Sequence, residues 1–518
     1  MMTMTRWIGV AVAALCAGQI ARAAPPDVHR QFVAVTGRPA TGGSAFIDVG
    51  NILTETPVLN DRGEALFVAF TGTPTEPIGG LFHVDANGNQ RRLASDGDIL
   101  PGAGGLFIGT MISLGIDNVG NFLSATIFVD ELFNPDPPIA QAGVLLESDG
   151  TLQVLARDGQ ARPDGANWDS VLLLPELNIF GDVLLSDQGD GASGPAIFMY
   201  HSDTGFDTVF NPGTVTPPGH TVPLEAAFAA QFAGPGRAIF LGASGIGTPA
   251  VRSGYFTWER GAGVTQLLDA QNLTGPSGER VTGIGIIHAN NLGEVAFTGD
   301  VPDVDPLTVE VLFTADANGN LTERFRVGDT LPGAAQPVDD IAVEGYNDTG
   351  QVILTVEHSI DDALVLYDPT DGATIIAEEG DQTPDGVGRF DEIFQIEMNE
   401  HGQVAFLAST TDSATSEGIY FYDRSFGLVE LVESGDAMLG GFVDDLTFDV
   451  SSGSFDIEQR RGLNDLAQVA LRLTLDNGGS ALAVFTVPEP ATAGLTIAGA
   501  IFGTGRRNRY PSPTRKKS

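Results

Sequence analysis

One short segment limits the possible folds of this chain more than any other. Asn399-Glu-His-Gly-Gln-Val-Ala-Phe406 recurs, whole or worn, about eight times. Asparagine suits the first position of a type I turn, where its side chain accepts from the backbone two residues on. Glycine suits the fourth position, where φ is often positive. Before the turn, Ile393-Phe-Gln-Ile-Glu-Met398 reads as strand, and after it so does Gln403-Val-Ala-Phe-Leu407. The unit is a hairpin.

Aligned on this turn, the copies are Asn60–Gly63, Asp117–Gly120, Asn178–Gly181, Asn290–Gly293, Asn347–Gly350, Asn399–Gly402 and Asn464–Ala467. A degenerate copy, Ala233-Gly-Pro-Gly236, fills the one double-length gap. Seven intervals span 404 residues, about 58 each, which marks a repeat array. A second motif, Gly-Asp-x-x-Pro, falls between the turns at Gly97, Gly328 and Gly380, with weaker copies at Gly37, Asp158, Gly213 and Gly435. The copy expected near Asn272 is not recognisable. A third element is an apolar strand such as Gly80-Leu-Phe82 or Val311-Leu-Phe313, usually followed by a hairpin signal such as Asp85-Ala-Asn-Gly88 or Asp316-Ala-Asn-Gly319.

Each unit therefore holds four strands, and no segment of the body shows a helical period. Four strands repeated eight times predict an all-β fold, a β-propeller of about eight blades. Seven blades or an open array are the alternatives, because the fourth unit is poorly marked. The last unit ends with Ala481–Val487 and lacks a fourth strand, while a spare strand, Gln31–Val35, precedes the first. If that strand completes the last blade, the ring closes and no sheet edge stays open.

Composition narrows the chemistry. Eight of the 26 basic residues lie in residues 1–23 and 506–518, which hold no acid, so the rest sets 18 against 67 acids, a balance of −49. Such a surface repels phosphate backbones and excludes nucleic acid as a partner. The single cysteine, Cys16, and both lysines, Lys516 and Lys517, lie near the ends. The body therefore has no thiol nucleophile, disulfide or lysine Schiff base. The seven histidines are scattered, with no pair at metal-ligand spacing. There is no nucleophile elbow, so no catalytic residue is assigned. Paired carboxylates remain an open route to glycoside chemistry. Asp85-Ala-Asn-Gly-Asn89 and Asp316-Ala-Asn-Gly-Asn320 resemble the start of a calcium loop, but neither has the closing carboxylate, and the turn reading outweighs calcium. No cofactor is expected beyond that weak calcium possibility.

The ends carry addresses. Arg6, the apolar run Trp7–Ala17 and Ala21-Arg22-Ala23 form a signal peptide over residues 1–23, with cleavage after Ala23. Cys16 raises a lipoprotein alternative, which Leu15 before it opposes. Residues 24–487 form the repeat domain, and 488–518 an anchor segment. That segment reads Val487-Pro488-Glu489-Pro490, fifteen residues Ala491–Gly505, then Arg506, Arg507 and Arg509. As a helix the run spans roughly 22 Å, short of a ~30 Å hydrocarbon core, and the arginines fit its inside-facing flank.

The order of these features resembles the PEP-CTERM sorting tail of Gram-negative bacteria. The resemblance implies recognition by an exosortase-like enzyme near Pro488–Pro490, a membrane stage, removal of the tail, and delivery to the cell surface, outer membrane or extracellular matrix. Tyr510–Ser518 departs from the pattern, since the family usually stops soon after the arginines. A plain short membrane anchor is the simpler alternative. The body, through Gly293-Glu-Val-Ala-Phe297 and Gly402-Gln-Val-Ala-Phe406, is similar to bacterial surface proteins with tandem Asn-x-x-Gly-x-x-Ala-Phe repeats, which implies a secreted repeat protein but no activity. The expected function is a non-enzymatic surface or matrix protein that binds an extracellular polysaccharide or protein. The alternative is an extracellular carbohydrate-active enzyme, a propeller glycosidase or lyase, with carboxylates at the channel mouth.

Overall fold

The computed structural model describes residues 28–488 apart from 42, 50–55, 101, 130–140, 149–150, 170–174, 188–194, 247–250, 303–307, 335, 359–360, 412–415 and 449–461. The predicted signal peptide and the tail beyond Pro488 lie outside the described residues.

The chain is an eight-bladed β-propeller of four-stranded antiparallel blades, with no helix among the described residues. The seven-blade alternative is set aside. In blade 1 the order runs from Phe46–Val49 through Ala65–Thr73 and Glu76–Val84 to Gln90–Ser95, with Val58–Leu59 adding a short second piece to the inner strand. Blades 2 to 7 follow the same order in sequence, over 107–157, 176–210, 226–269, 288–326, 340–378 and 390–433.

Blade 8 joins the two ends of the repeat domain. Its inner three strands are Gly441–Thr447, Gln468–Leu475 and Ser480–Thr486, and its outer strand is His29–Val35. Gln31 pairs with Val484 and Val35 with Ala481, so the spare N-terminal strand completes the last blade as expected. The closure matters because an unpaired outer edge would template aggregation.

The Ala-Phe end of each repeat builds the core. Phe67 faces Phe82 at 5.6 Å, Phe240 faces Phe256 at 5.9 Å, Phe297 faces Phe313 at 5.8 Å and Phe406 faces Tyr420 at 5.5 Å, each pair linking the second and third strands of one blade. These rings are almost wholly buried. They pack in clusters that bridge neighbouring blades, as where Ala296 and Leu312 join Val352 and Leu354. Each sheet therefore buries its faces against the sheets beside it.

The Gly-Asp segments connect the outer strand of one blade to the inner strand of the next. Their glycine N–H donates to a carbonyl in the inner strand or ahead of it in every recognisable copy, as from Gly97 to Ile108, Gly328 to Val338 and Gly380 to Phe390, at 2.7–2.8 Å. The eighth copy, hidden in the sequence, is present in three dimensions. Near Asn272 the loop keeps the companion bond, from Val281 N–H to the Leu273 carbonyl at 2.9 Å. The loop and the second-to-third-strand hairpins share one face of the disc, here the loop face. The Asn-x-x-Gly turns share the other, the turn face.

Candidate functional site

Each repeat asparagine does more than shape its own turn. Asn60 Oδ1 accepts from the Arg62 N–H at 3.1 Å and the Glu64 N–H at 2.9 Å. Its Nδ2 donates to Glu64 Oε2 at 2.9 Å and, across the blade boundary, to the Asp117 carbonyl at 2.8 Å. The side chain is fully buried with four partners, as a buried amide requires. The same clasp runs from Asn290 to the Asn347 carbonyl, from Asn347 to Asn399, from Asn399 to Asn464 and from Asn464 to Asn60, at 2.7–3.2 Å. Five consecutive links thus join blades 5, 6, 7, 8, 1 and 2.

A second ring of contacts lies at the next turn position. The N–H of Asn291 donates to Asp348 at 2.7 Å, that of Asp348 to Glu400 at 2.7 Å, that of Glu400 to Asp465 at 3.0 Å, that of Asp465 to Asp61 at 3.0 Å and that of Asp61 to the Asn118 side chain at 2.9 Å. Asn291 Nδ2 also reaches Glu400 Oε1 at 3.3 Å, a contact from blade 5 to blade 7 that skips a blade. Such a span is possible only close to the axis. Asp61, Asp348, Glu400 and Asp465 therefore form an acidic arc around the channel mouth on the turn face. Each carboxylate accepts a backbone N–H from a neighbouring turn, a charge-assisted bond of the strong kind.

Blades 2 to 4 depart from this pattern. Asp117 replaces asparagine, and Asn121 replaces the glutamate or glutamine that the regular copies carry four residues on. The Asp117 carboxylate accepts from the N–H groups of Val119, Gly120 and Asn121 but, unlike an amide, has no N–H to pass on to the next blade. Burial pushes its carboxyl above the usual range, against these hydrogen bonds. The link onward is made by backbone instead, from the Asn118 N–H to the Ile179 carbonyl at 3.3 Å. In blade 4 a Cβ on Gly234 would collide with the Asn291 carbonyl, so this degenerate turn keeps glycine where the next blade presses in. Gly236 N–H donates back to Asp182 Oδ2 at 2.8 Å.

The fifth position of the repeat explains two histidines. Asp182 Oδ1 lies 2.6 Å from His201 Nδ1, and Glu64 lies 4.0 Å from His83 at the equivalent place. Where the fifth residue is glutamine it also reaches the third strand: Gln351 donates to Asp368 at 2.9 Å, Gln403 to Asp423 at 2.7 Å and Gln468 to the Thr486 hydroxyl at 3.4 Å. Burial holds His83 below the ordinary histidine value, with Glu64 pulling the other way. His201 and His83 are thus placed as struts between the second and third strands.

Carboxylates also crowd the loop face. Burial raises Glu310 above the usual range, with Asp340 of the next blade adding to it, and it raises Glu417, with Asp445 in the same relation. Burial and then Asp362, Asp361 and Asp391 act on Glu379 in the same direction, against a hydrogen bond from the Asp362 N–H. Among the described residues one group could hold a metal ion. Asp385, Glu430 and Glu433 present oxygens within 4.8 Å of one another. Glu430 is pushed up to about 7, first by burial and then by Glu433, Asp385 and Asp436. Its Oε2 is buried without a hydrogen-bond partner, so the donor set is hard oxygen with unspent capacity, which suits a calcium-like cation. By contrast, the two Asp-x-Asn-Gly segments are hairpin turns: Asp85 Oδ1 accepts from the Asn87 and Asn89 N–H groups, and Asp316 Oδ1 from those of Asn318 and Asn320, at 2.8–2.9 Å.

The structure thus gathers Asn60, Asn178, Asn290, Asn347 and Asn399 around the axis, with Gly63, Gly181, Gly293, Gly350 and Gly402 closing their turns at positive φ. Of the sorting residues, Pro488 is described and exposed. Glu489, Pro490, Arg506, Arg507 and Arg509 lie outside the described residues, as do Ala21 and Ala23. The mouth residues Asp61, Asn118, Asn291, Asp348, Glu400 and Asp465 were not singled out in the sequence. Their signal was present all the same: the second turn position is Asp, Asn or Glu in six of eight copies.

Among solved structures, the chain is similar to dipeptidyl peptidase 4 of Porphyromonas gingivalis, at 10% identity and a TM-score of 0.45, over 83% of this chain and 59% of that one. It is similar to the polysaccharide lyase Uly1 at 10% identity and a TM-score of 0.36, over 76% and 97%. It is similar to the Dos1 propeller at 9% identity and a TM-score of 0.36, over 90% and 96%. The chain spans about 59% of the length of the peptidase it matches. No curated protein matches it. Residues 20–198 and 59–494 match one family, and the chain belongs to it: the family of unknown function DUF7453.

Proposed function

We propose that this chain is an exported propeller with a binding or structural role at the cell surface or in the extracellular matrix, delivered there through a PEP-CTERM-like tail. One observation carries the choice of binding over catalysis. The carboxylates at the turn-face mouth, Asp61, Asp348, Glu400 and Asp465, each hold a neighbouring backbone N–H. They are committed to joining blades, whereas a general acid or nucleophile needs a carboxyl aimed at substrate. The partner class that suits an exported acidic disc is an uncharged or cationic polysaccharide or protein. Screening the full chain against plant, algal and bacterial polysaccharides tests this. Retention without product release is the expected result. Product release abolished by a single Asp or Glu substitution would reject it in favour of a glycosidase or lyase.

For sorting, Pro488→Ala with Pro490→Ala, expressed beside an exosortase, is expected to leave the chain unprocessed in the membrane fraction. Unchanged processing would remove the sorting reading. A second reading of the loop face rests on the buried, unpartnered Glu430 Oε2: Asp385, Glu430 and Glu433 hold a divalent cation between the outer strand of blade 7 and the loop that leads into it.

A further inference from the structure

We propose that the turn face is the face that lies against the membrane while the chain is still anchored, and that its occupant there is a zwitterionic lipid surface. This rests on the anchor reading of Ala491–Gly505. The third strand of blade 8 runs toward the turn face, and the Val487 N–H donates to the Ala467 carbonyl, inside the Asn464–Ala467 turn, at 3.0 Å. The chain therefore leaves the propeller beside the channel mouth on that face. Only Glu489 and Pro490 separate Pro488 from the apolar run, and two residues reach at most ~7 Å. The loop face lies a full strand away, about 25 Å for an eight-residue strand such as Gln468–Leu475. An inserted run so tethered keeps the turn face nearer the bilayer than the loop face and leaves the tilt of the disc to what that face presents.

That face is built for contact with an apolar boundary. The third position of the repeat turn carries exposed apolar side chains: Val119 at 67%, Phe180 at 46%, Leu292 at 53% and Leu466 at 49%. Pro235 occupies the same position in blade 4 and is exposed. Blades 2, 3, 4 and 5 thus form an unbroken apolar crescent, and Leu466 adds a tip beside the exit point. The tips are supported from below. Val119 packs toward Gly181 of the next blade and Leu466 toward Gly63. The loop face also exposes apolar residues, Ile99, Val387 and Phe442 among them, but at unlike loop positions rather than at one repeated site. Four or five shallow tips would bind lipid weakly alone. The tether raises their effective concentration, so they need only set orientation. The acidic arc and the balance of −49 disfavour an anionic surface and favour an uncharged one. The loop-face mouth then opens away from the membrane, toward any extracellular partner.

The body has no cysteine, which makes site-specific labelling direct. In the chain from Ala24 onward, which lacks both the apolar leader and Cys16, single substitutions Phe180→Cys, Leu466→Cys and Val387→Cys would be labelled with a small fluorophore. The proteins would be reconstituted in phosphatidylcholine vesicles containing spin-labelled lipid. Quenching at 180 and 466 should exceed that at 387 by at least about threefold, as expected for side chains at the headgroup boundary. Equal quenching at all three sites, or more at 387, in protein that co-floats with the vesicles would overturn the orientation and leave the anchor standing. Protein that fails to co-float would defeat the anchor reading, and the orientation with it. Leu292→Glu with Leu466→Glu, both at exposed positions, should leave co-flotation intact and abolish quenching at 180. Undiminished quenching in that variant would overturn the role of the tips.

Discussion

Two arcs of the same ring are held together differently. From blade 5 through blades 6, 7, 8 and 1 into blade 2, every boundary carries an asparagine clasp and a second-position side chain capping the next backbone N–H. From blade 2 to blade 5 the asparagine clasp is replaced by a backbone bond from Asn118 to Ile179 and then by other side chains: Asp182 accepts from the Gly236 N–H, Gln231 pairs with the Ile287 carbonyl and the Ala289 N–H at 2.8–2.9 Å, and Arg237 donates to the Leu292 carbonyl at 3.1 Å. The regular arc is polar at its turns, and the irregular one is more apolar at its tips. The difference teaches that a propeller needs buried, complementary boundaries rather than one fixed set of side chains. The repeat can decay where the backbone or another side chain supplies an equivalent bond.

The comparison can be broken most severely at the seam. Removing residues 28–36 deletes the outer strand of blade 8 and exposes an edge. Such a chain should lose cooperative unfolding and aggregate, seen by circular dichroism and light scattering. A cooperative, monomeric product would mean that the ring does not depend on its closure.

Next in size is the clasp itself. Asn399→Ala strands the Asn464 carbonyl and Gln403, and should cost about 3 kcal/mol by urea unfolding, four lost bonds with buried groups left behind. Asn178→Ala, in the other arc, should cost nearer 1 kcal/mol, a figure typical of a turn asparagine. Equal losses would erase the distinction between the arcs.

The irregular arc can also be made regular. Asp117→Asn with Asn121→Glu recreates the pair that Asn60 forms with Glu64 and adds a donor toward blade 3. A gain of about 1 kcal/mol is expected, and a loss would show that blade 3 cannot accept the link. A smaller gain should come at Ala467, which stands where other copies have glycine and adopts a φ of 54°. Ala467→Gly relieves a left-handed alanine and should add about 0.5–1 kcal/mol.

The least of these effects concerns pH. Burial and like charge raise Glu310 and Glu417, so folding penalises their ionised forms. The penalty is complete above their folded pKa values and is relieved as pH falls toward the unfolded glutamate value near 4.3. Asp85, Asp316 and Asp368 are held below the ordinary range, the first two chiefly by their asparagine partners and the third by its hydrogen bonds against burial. Their contribution is present above about 3.9 and fades below it. Stability should therefore fall on both sides of the ordinary carboxylate range, and Glu417→Gln should flatten the decline that begins above about pH 4.3. A calcium-dependent rise in melting temperature that Glu430→Gln abolishes would add a cation to this face; melting unaffected by calcium and by EDTA would remove it.

Local chemistry was legible without coordinates because it depends on neighbours in the chain. An asparagine and a glycine three residues apart suffice to announce a turn, and the apolar run with its aromatic after Gly63, Gly293 or Gly402 suffices to announce a strand. Eight such units with a spare strand at the front were enough to foresee a closed ring. What the asparagines clasp was not legible, since Asn464 and Asn60 stand 404 residues apart and meet only once the circle exists. The acidic mouth was hidden for the same reason. Asp61, Asp348, Glu400 and Asp465 look like ordinary turn residues until neighbouring blades bring a backbone N–H to each. Turn propensity is settled within a few residues, whereas the partner of a buried polar group is decided by which distant segments the closed ring presses together.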